Sequence, residues 1–179
     1  NERPPVLDAG AISLSLRGAP GISAVKLNNT QPEAIAGSIG FNKISDFLKA
    51  GNIRFITWEQ TPTSGRAVIA LDRSSAPVMI AMLSRDVADY LSAIMAPVAT
   101  GELLTKQQYL TLVSSIYGQA AAREIETAQI TASINFPGII TMAEGASFSG
   151  STAHIKASLA DFLVLEKPFV YEVRWTPFR

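Results

Sequence analysis

From residue 11 the chain alternates, with Ile12, Leu14 and Leu16 on one side and Ser13, Ser15 and Arg17 on the other. That two-residue period predicts a half-buried strand. The ten residues before it, NERPPVLDAG, carry two prolines, mixed charge and no period, and read as a tether. Residues 18–41 hold Gly18, Gly21, Gly37, Gly40, Pro20, Pro32 and the pair Asn28-Asn29. Such punctuation predicts a loop, or a ragged strand around SAVKL. Ile44, Phe47 and Leu48 then share a helical face, with Asn42 placed as N-cap and Gly51 as stop, so NKISDFLKAGN predicts a short helix. NIRFITWEQ and RAVIALD read as two strands joined by the hairpin connection TPTSG.

The pattern changes at residue 76. APVMIAMLSRDVADYLSAIMAPVA, residues 76–99, is charged only at Arg85, Asp86 and Asp89. One helix fits from Ser84 as N-cap to Met95, where Pro97 blocks continuation. A second has Thr105 as N-cap, Gln108 completing a capping box, and Gly118 as its end. The first presents Val87, Tyr90, Leu91, Ile94 and Met95 as one stripe, preceded by Val78, Met79, Ile80, Met82 and Leu83. The second presents Tyr109, Leu112, Val113 and Ile116, widened by Leu110 and Tyr117, with Leu103 and Leu104 just upstream. Alternation then returns, with Ile130, Ala132, Ile134 and Phe136 on one side. Turns at Pro137-Gly138 and Glu144-Gly145 predict an antiparallel meander over residues 125–158. In FVYEVRW, Phe169, Tyr171, Val173 and Trp175 line one face of a last strand that starts after Pro168. The order of elements predicts an α+β fold: a twisted antiparallel sheet with a pair of amphipathic helices packed on one face. Residues 11–179 form its single domain, behind a tether at 1–10.

Composition sharpens this picture at two points. Apolar residues make up 47% and charged residues 17%, below the usual quarter. The apolar excess must be buried in a core, a partner or lipid. Acidic and basic residues balance at 15 each and the basic ones are scattered without interleaved aromatics, so no field or face for nucleic acid arises. The absence of cysteine excludes disulfides, thiol catalysis and thiolate metal sites. No run approaches the eighteen apolar residues of a spanning helix. The start at NERPP, without a methionine or an apolar leader, predicts an upstream region removed by processing or by cloning.

Enzyme signatures are weak. His154 is the single histidine, on an alternating stretch beside Lys156, and reads as an exposed or hydrogen-bonded strand histidine. One histidine without clustered carboxylates builds no metal site, and no cofactor is expected. Ser23 and Lys26 match S-x-x-K, but the companion S-D-N and K-T-G motifs are missing. EGASFSG has Ser149 where a nucleophile elbow needs glycine. No phosphate-cradling glycine loop occurs. A catalytic reading would need an unrecognised site around Ser147, Ser149 or His154, and the chain reads as a non-enzyme.

The two helices remain. Packing on the sheet accounts for one stripe each. The run before Ser84 and the methionines Met79, Met82 and Met95 exceed that need, and methionine suits surfaces that meet lipid or several partners. The stripes therefore predict a lipid- or membrane-binding surface, either roofing an apolar cavity or lying in a membrane interface. The alternative is a structural or assembly module, in which the same apolar helices contact another envelope protein or a second copy.

From Ala122 to Ala157, a helix, an alternating strand, Phe136-Pro137-Gly138, a short strand, Glu144-Gly145 and another alternating strand follow one another. This order resembles the C-terminal half of LppM-type bacterial lipoprotein domains. It departs where those domains carry Asn-Gly at the second turn and a tryptophan in the next strand; here that strand reads HIKAS. The helix pair is similar in character to the membrane-inserting amphipathic helices of treponemal outer-membrane lipoproteins. Both resemblances imply an extracytoplasmic, membrane-anchored lipoprotein at the outer membrane or the periplasmic face, with lipid as its partner.

Overall fold

The computed structural model describes residues 8–31, 34–81 and 85–178. Its first element is a helix, α1 (Ala9–Leu16), where the alternation predicts a strand. Ala9 and Ser13 are buried, Ile12 and Leu16 half-buried, and Leu14 stays 72% exposed. Positions 9, 12, 13 and 16 form a helical face, and two of them, Ile12 and Leu16, also belong to the alternating set 12, 14 and 16, so the apolar period alone does not separate the two structures. The cap decides it. The Asp8 carboxylate accepts from the amides of Gly10 at 2.8 Å and Ala11 at 3.0 Å, satisfying donors that a helix start leaves orphaned. Of the expected tether, residues 8–10 form this helix start, and residues 1–7 lie outside the described residues.

The segment expected as a loop is a long hairpin. β1 (Ile22–Gln31) pairs antiparallel with β2 (Ala34–Phe41), and α1 packs on β1. Three of the glycines that suggested a loop, Gly21, Gly37 and Gly40, serve close contacts. Gly37, at φ +153, sits where a Cβ would collide with the Lys26 carbonyl oxygen across the hairpin. α2 (Ile44–Ala50) follows as predicted and Gly51 ends it, although Lys43, not Asn42, holds the N-cap position and no side chain caps it. β3 (Ile56–Gln60) and β4 (Gly65–Leu71) form the predicted hairpin.

Residues 125–158 do not form a meander. They supply β5 (Gln129–Asn135), β6 (Gly138–Glu144), β7 (Ser147–Ser149) and β8 (Thr152–Ser158), but β5 pairs with β8 while β6 pairs with β9 (Phe169–Pro177). Two antiparallel sheets result, ordered β3-β4-β9-β6 and β5-β8-β7. Pro137 explains the switch. It has no N–H to give to a continuing hairpin, and its carbonyl accepts from Phe178, which steers the chain onto β9. The two sheets bury Ala67, Phe136, Ile140, Ala153, Val173 and Trp175 together, with Trp58, Ile134 and Ala143 packed against them. Trp175 is 2% exposed, and its ring lies over Gly65 of β4 and Gly138 of β6, where any Cβ would collide with it.

The fold class is α+β with antiparallel sheets, as predicted. Its helices are α3 (Ala76–Ala81), α4 (Arg85–Ala93), α5 (Pro97–Thr100), α6 (Lys106–Tyr117), α7 (Gln119–Thr127) and α8 (Leu159–Val164). α5, α6 and α7 pack on α8, α3 and α4 pack on α5, and their apolar side chains share one core; Phe169 of β9 joins this second core to the sheet. The capping box at α6 forms as predicted: Thr105 Oγ1 accepts from the Gln108 amide at 3.2 Å, and Gln108 Oε1 accepts from the Thr105 amide at 2.8 Å. Arg73 fastens the cluster. Its Nε donates to the carbonyls of Leu165 (3.1 Å) and Val164 (3.3 Å), and its Nη2 donates to that of Leu104 (2.6 Å). A guanidinium at the C-terminal end of α8 satisfies carbonyls that a helix end leaves open.

Candidate functional site

Fourteen of the sixteen residues expected to touch lipid lie among the described residues, and they fall into three groups. Leu91, Tyr109 and Val113 are buried in the core around α8, with Val87, Ile80, Ile94 and Leu104 packed against it. Val78, Met79, Met95 and Leu112 are half-buried. Tyr90, Leu103 and Ile116 are exposed, Leu103 to 78%, and Met82 and Leu83 lie outside the described residues together with the expected N-cap Ser84. Two tyrosines stitch the helices. The hydroxyl of Tyr109 donates to the Ile94 carbonyl, and that of Tyr117 to the Ala93 carbonyl, so both hold the end of α4 against α6. Burial, aided by the neighbouring Tyr90 and Tyr117, pushes the Tyr109 phenol up to about 12. Much of the apolar excess of residues 76–99 thus fills an interior: α3 and α4 pack on α5, α5 packs on α8, and each short helix buries a face in the core they share.

The polar candidates share one solvated face. In the sheet β5-β8-β7, Ser133 and Ser147 stand opposite His154 on either side, and Asn135 and Ser149 stand opposite Thr152. His154 is exposed, and its Nδ1 lies 3.0 Å from Ser133 Oγ, where either atom can donate. Among the described residues no group of three histidine, aspartate or glutamate side chains is placed to hold a metal ion.

A cleft that the sequence did not announce lies elsewhere. It encloses about 1000 Å³ between the β1–β2 hairpin, the start of α2, β3 and β5. Its apolar wall comes from Leu27 and Ile39 of the hairpin, Phe41, Ile44, Trp58 and Ile134, with Phe136 at the floor. Trp58 and Phe136 stack at 6.0 Å with an interplanar angle of 6°, and both abut Trp175, at 4.7 and 5.0 Å. The floor is therefore a fixed aromatic surface backed by the sandwich core. Ile39 and Phe41 are 36% and 38% exposed, although both belong to a wall of apolar side chains. Polar groups on the lining are uncharged (Ser38, Asn42, Ser45, Gln60, Ser133, Asn135), apart from Lys43, which sits 3.3 Å from Asp46.

The outer face of the four-stranded sheet carries a separate charge cluster. Arg66 donates to both oxygens of Glu172 at 2.9 Å each, and Arg174 Nε donates to the same carboxylate at 2.7 Å. The hydrogen bonds from Arg66 and then Arg174 hold Glu172 down at about 2. Arg66 and Arg174 stand directly opposite each other in the β4–β9 register, so Glu172 offsets a like-charge pair. This cluster lies on strands and faces solvent, away from the cleft's apolar wall.

Nothing in the polar pattern of the sequence marks the cleft, because its walls come from five separate elements, β1, β2, α2, β3 and β5. Each contributes one or two apolar residues that look like ordinary core positions. Compared with known proteins, the chain matches no family model, no curated protein and no solved structure.

Proposed function

We propose that this is a non-enzymatic lipid-binding domain that takes an acyl chain into the cleft between the β1–β2 hairpin and the sandwich. The observation that carries the reading is the cleft itself: about 1000 Å³, walled by Leu27, Ile39, Phe41, Ile44, Trp58, Ile134 and Phe136. That volume stands at the upper end of ligand sites, roughly 300–1,000 Å³, and the lining sets an apolar wall beside seven polar residues, Ser38, Asn42, Lys43, Ser45, Gln60, Ser133 and Asn135. At roughly 0.8 kcal/mol per buried CH₂, about ten covered methylenes contribute about 8 kcal/mol before the costs of association and ordering. The reading agrees with the lipoprotein resemblance of residues 122–157 and with an extracytoplasmic, membrane-anchored setting. Among the described residues no helix is long and apolar enough to cross a membrane.

A second reading has its own observation. Tyr90, Leu103, Ile116 and Tyr117 are exposed on the helical side, to 62%, 78%, 51% and 48%. Tyrosine and leucine displayed this way suit a membrane interface, where rings bury a body and keep a polar tip wet.

The test uses the protein purified without detergent. Native mass spectrometry should find acyl lipid bound one to one. Lipids with brominated acyl chains should quench tryptophan fluorescence saturably, because Trp58 lines the cleft. Lipid-free protein that shows no saturable quenching would overturn the cleft reading.

A further inference from the structure

Two of the strands that wall the cleft are open sheet edges. β3 ends the order β3-β4-β9-β6, and β5 ends the order β5-β8-β7. In an antiparallel pair, successive residues turn their main-chain groups alternately toward the partner strand and away from it. The Ala70 amide donates to Phe55 O and the Thr61 amide to Ser64 O, so positions 55, 57, 59 and 61 face β4. Trp58 and Gln60 therefore turn their N–H and C=O groups outward. Likewise the Phe136 amide donates to Ser151 O and the Leu159 amide to Ala128 O, so the even positions of β5 face β8. Ser133 and Asn135 turn outward. All four outward residues line the cleft.

This arrangement discriminates among acyl ligands. A bare hydrocarbon laid along the cleft strips water from edge amides and carbonyls and returns nothing, which is unfavourable for every group it covers. A peptide-like head restores those hydrogen bonds in the manner of an added strand. Among the described residues Lys43 is the only charged one on the lining, and it is a cation. Its side chain is 67% exposed beside Asp46, so it can meet a carboxylate at the rim.

We propose that the ligand is an N-acylated peptide: an acyl chain on the aromatic floor, an amide head paired with the open edges of β3 and β5, and a carboxylate toward Lys43. This rests on the acyl-binding reading above and narrows it to one class of acyl compound.

The experiment compares three probes by isothermal titration calorimetry with the intact chain. They are an N-lauroyl alanine dipeptide with a free carboxyl end, the same molecule with both amide nitrogens methylated, and methyl laurate. Each hydrogen bond gained at the edge is worth about two- to tenfold in affinity, so the dipeptide should bind at least tenfold more tightly than methyl laurate. Methylation should remove most of that gain. Ser133→Pro deletes one outward donor on an edge strand, where proline leaves the β8 ladder intact, and should weaken the dipeptide several-fold without changing methyl laurate. Equal affinity for all three probes overturns the inference and leaves acyl binding standing. No binding of any probe overturns acyl binding as well. If Ser133→Pro does not fold, the methylated probe decides alone.

Discussion

Replacing Ile39 with asparagine separates the cleft from the helical surface. Ile39 sits on the cleft wall and is 36% exposed, so roughly a third of its side chain remains for a ligand to cover. Full burial of such a side chain is worth about 1.5–3 kcal/mol, which assigns about 0.5–1 kcal/mol of lipid binding to that third. An amide facing hydrocarbon without a partner adds a penalty of about 1–3 kcal/mol. The sum, about 1.5–4 kcal/mol, is roughly a ten- to several-hundred-fold loss of affinity. The already buried two-thirds is worth about 1–2 kcal/mol to the fold, a drop of roughly 2–8 °C in Tm for a chain of this size. The assay is saturable quenching by a brominated acyl chain, with circular dichroism melts on the same samples. Tyr90→Asn is the control: it is 62% exposed on α4, away from the cleft lining, and should leave affinity within twofold. The reasoning is refuted if Tyr90→Asn weakens binding and Ile39→Asn does not, because the lipid would then be held by the helices.

Three further outcomes follow from the packing and charge of the fold. Arg73→Met leaves three carbonyls at the end of α8 and at Leu104 without their charged donor, and should cost about 2–4 kcal/mol by urea denaturation, with the helical signal lost first. Gly65→Ala drives a methyl group into the Trp175 ring and should cost about 1–3 kcal/mol, with a changed near-ultraviolet tryptophan spectrum; Gly145→Ala, strained instead by its φ of +76, should leave that spectrum alone. Glu172 is held down at about 2 in the fold against an ordinary value of 4.5, so its contribution is complete above pH 4.5 and fades as pH falls toward 2. Acid melts of Glu172→Gln should therefore show a smaller fall in Tm across that window than the parent protein; equal slopes would mean the arginines do not lower it.

Local rules carried far along this chain wherever neighbours in sequence did the deciding. Thr105 and Gln108 made their capping box, Gly51 and Gly118 ended their helices, and Tyr171, Val173 and Trp175 turned to one buried face. Those features depend on donors a few residues away or on a single strand's pleat, and both are written in the local sequence. α1 shows where local pattern becomes ambiguous: its apolar spacing fits two periods, and only the Asp8 cap and the contact with β1 select the helix.

What the sequence by itself determined was the α+β class, the helix pair and its apolar load, the β3–β4 hairpin and the buried face of β9. Which surface those apolar residues meet was a tertiary decision. Pro137 sent β6 to β9 and left β5 to β8, so one expected sheet became two with free edges. α8, an unremarkable LADFLV in the sequence, anchors a core that takes up part of the predicted lipid surface, Leu91, Tyr109 and Val113 within it and Ile80, Val87, Ile94 and Leu104 against it. The cleft exists because the β1–β2 hairpin, α2, β3 and β5 come together without filling the space between them. Hydrophobic burial is non-directional, so a sequence states how much apolar surface must be covered, and only the packed chain states by what.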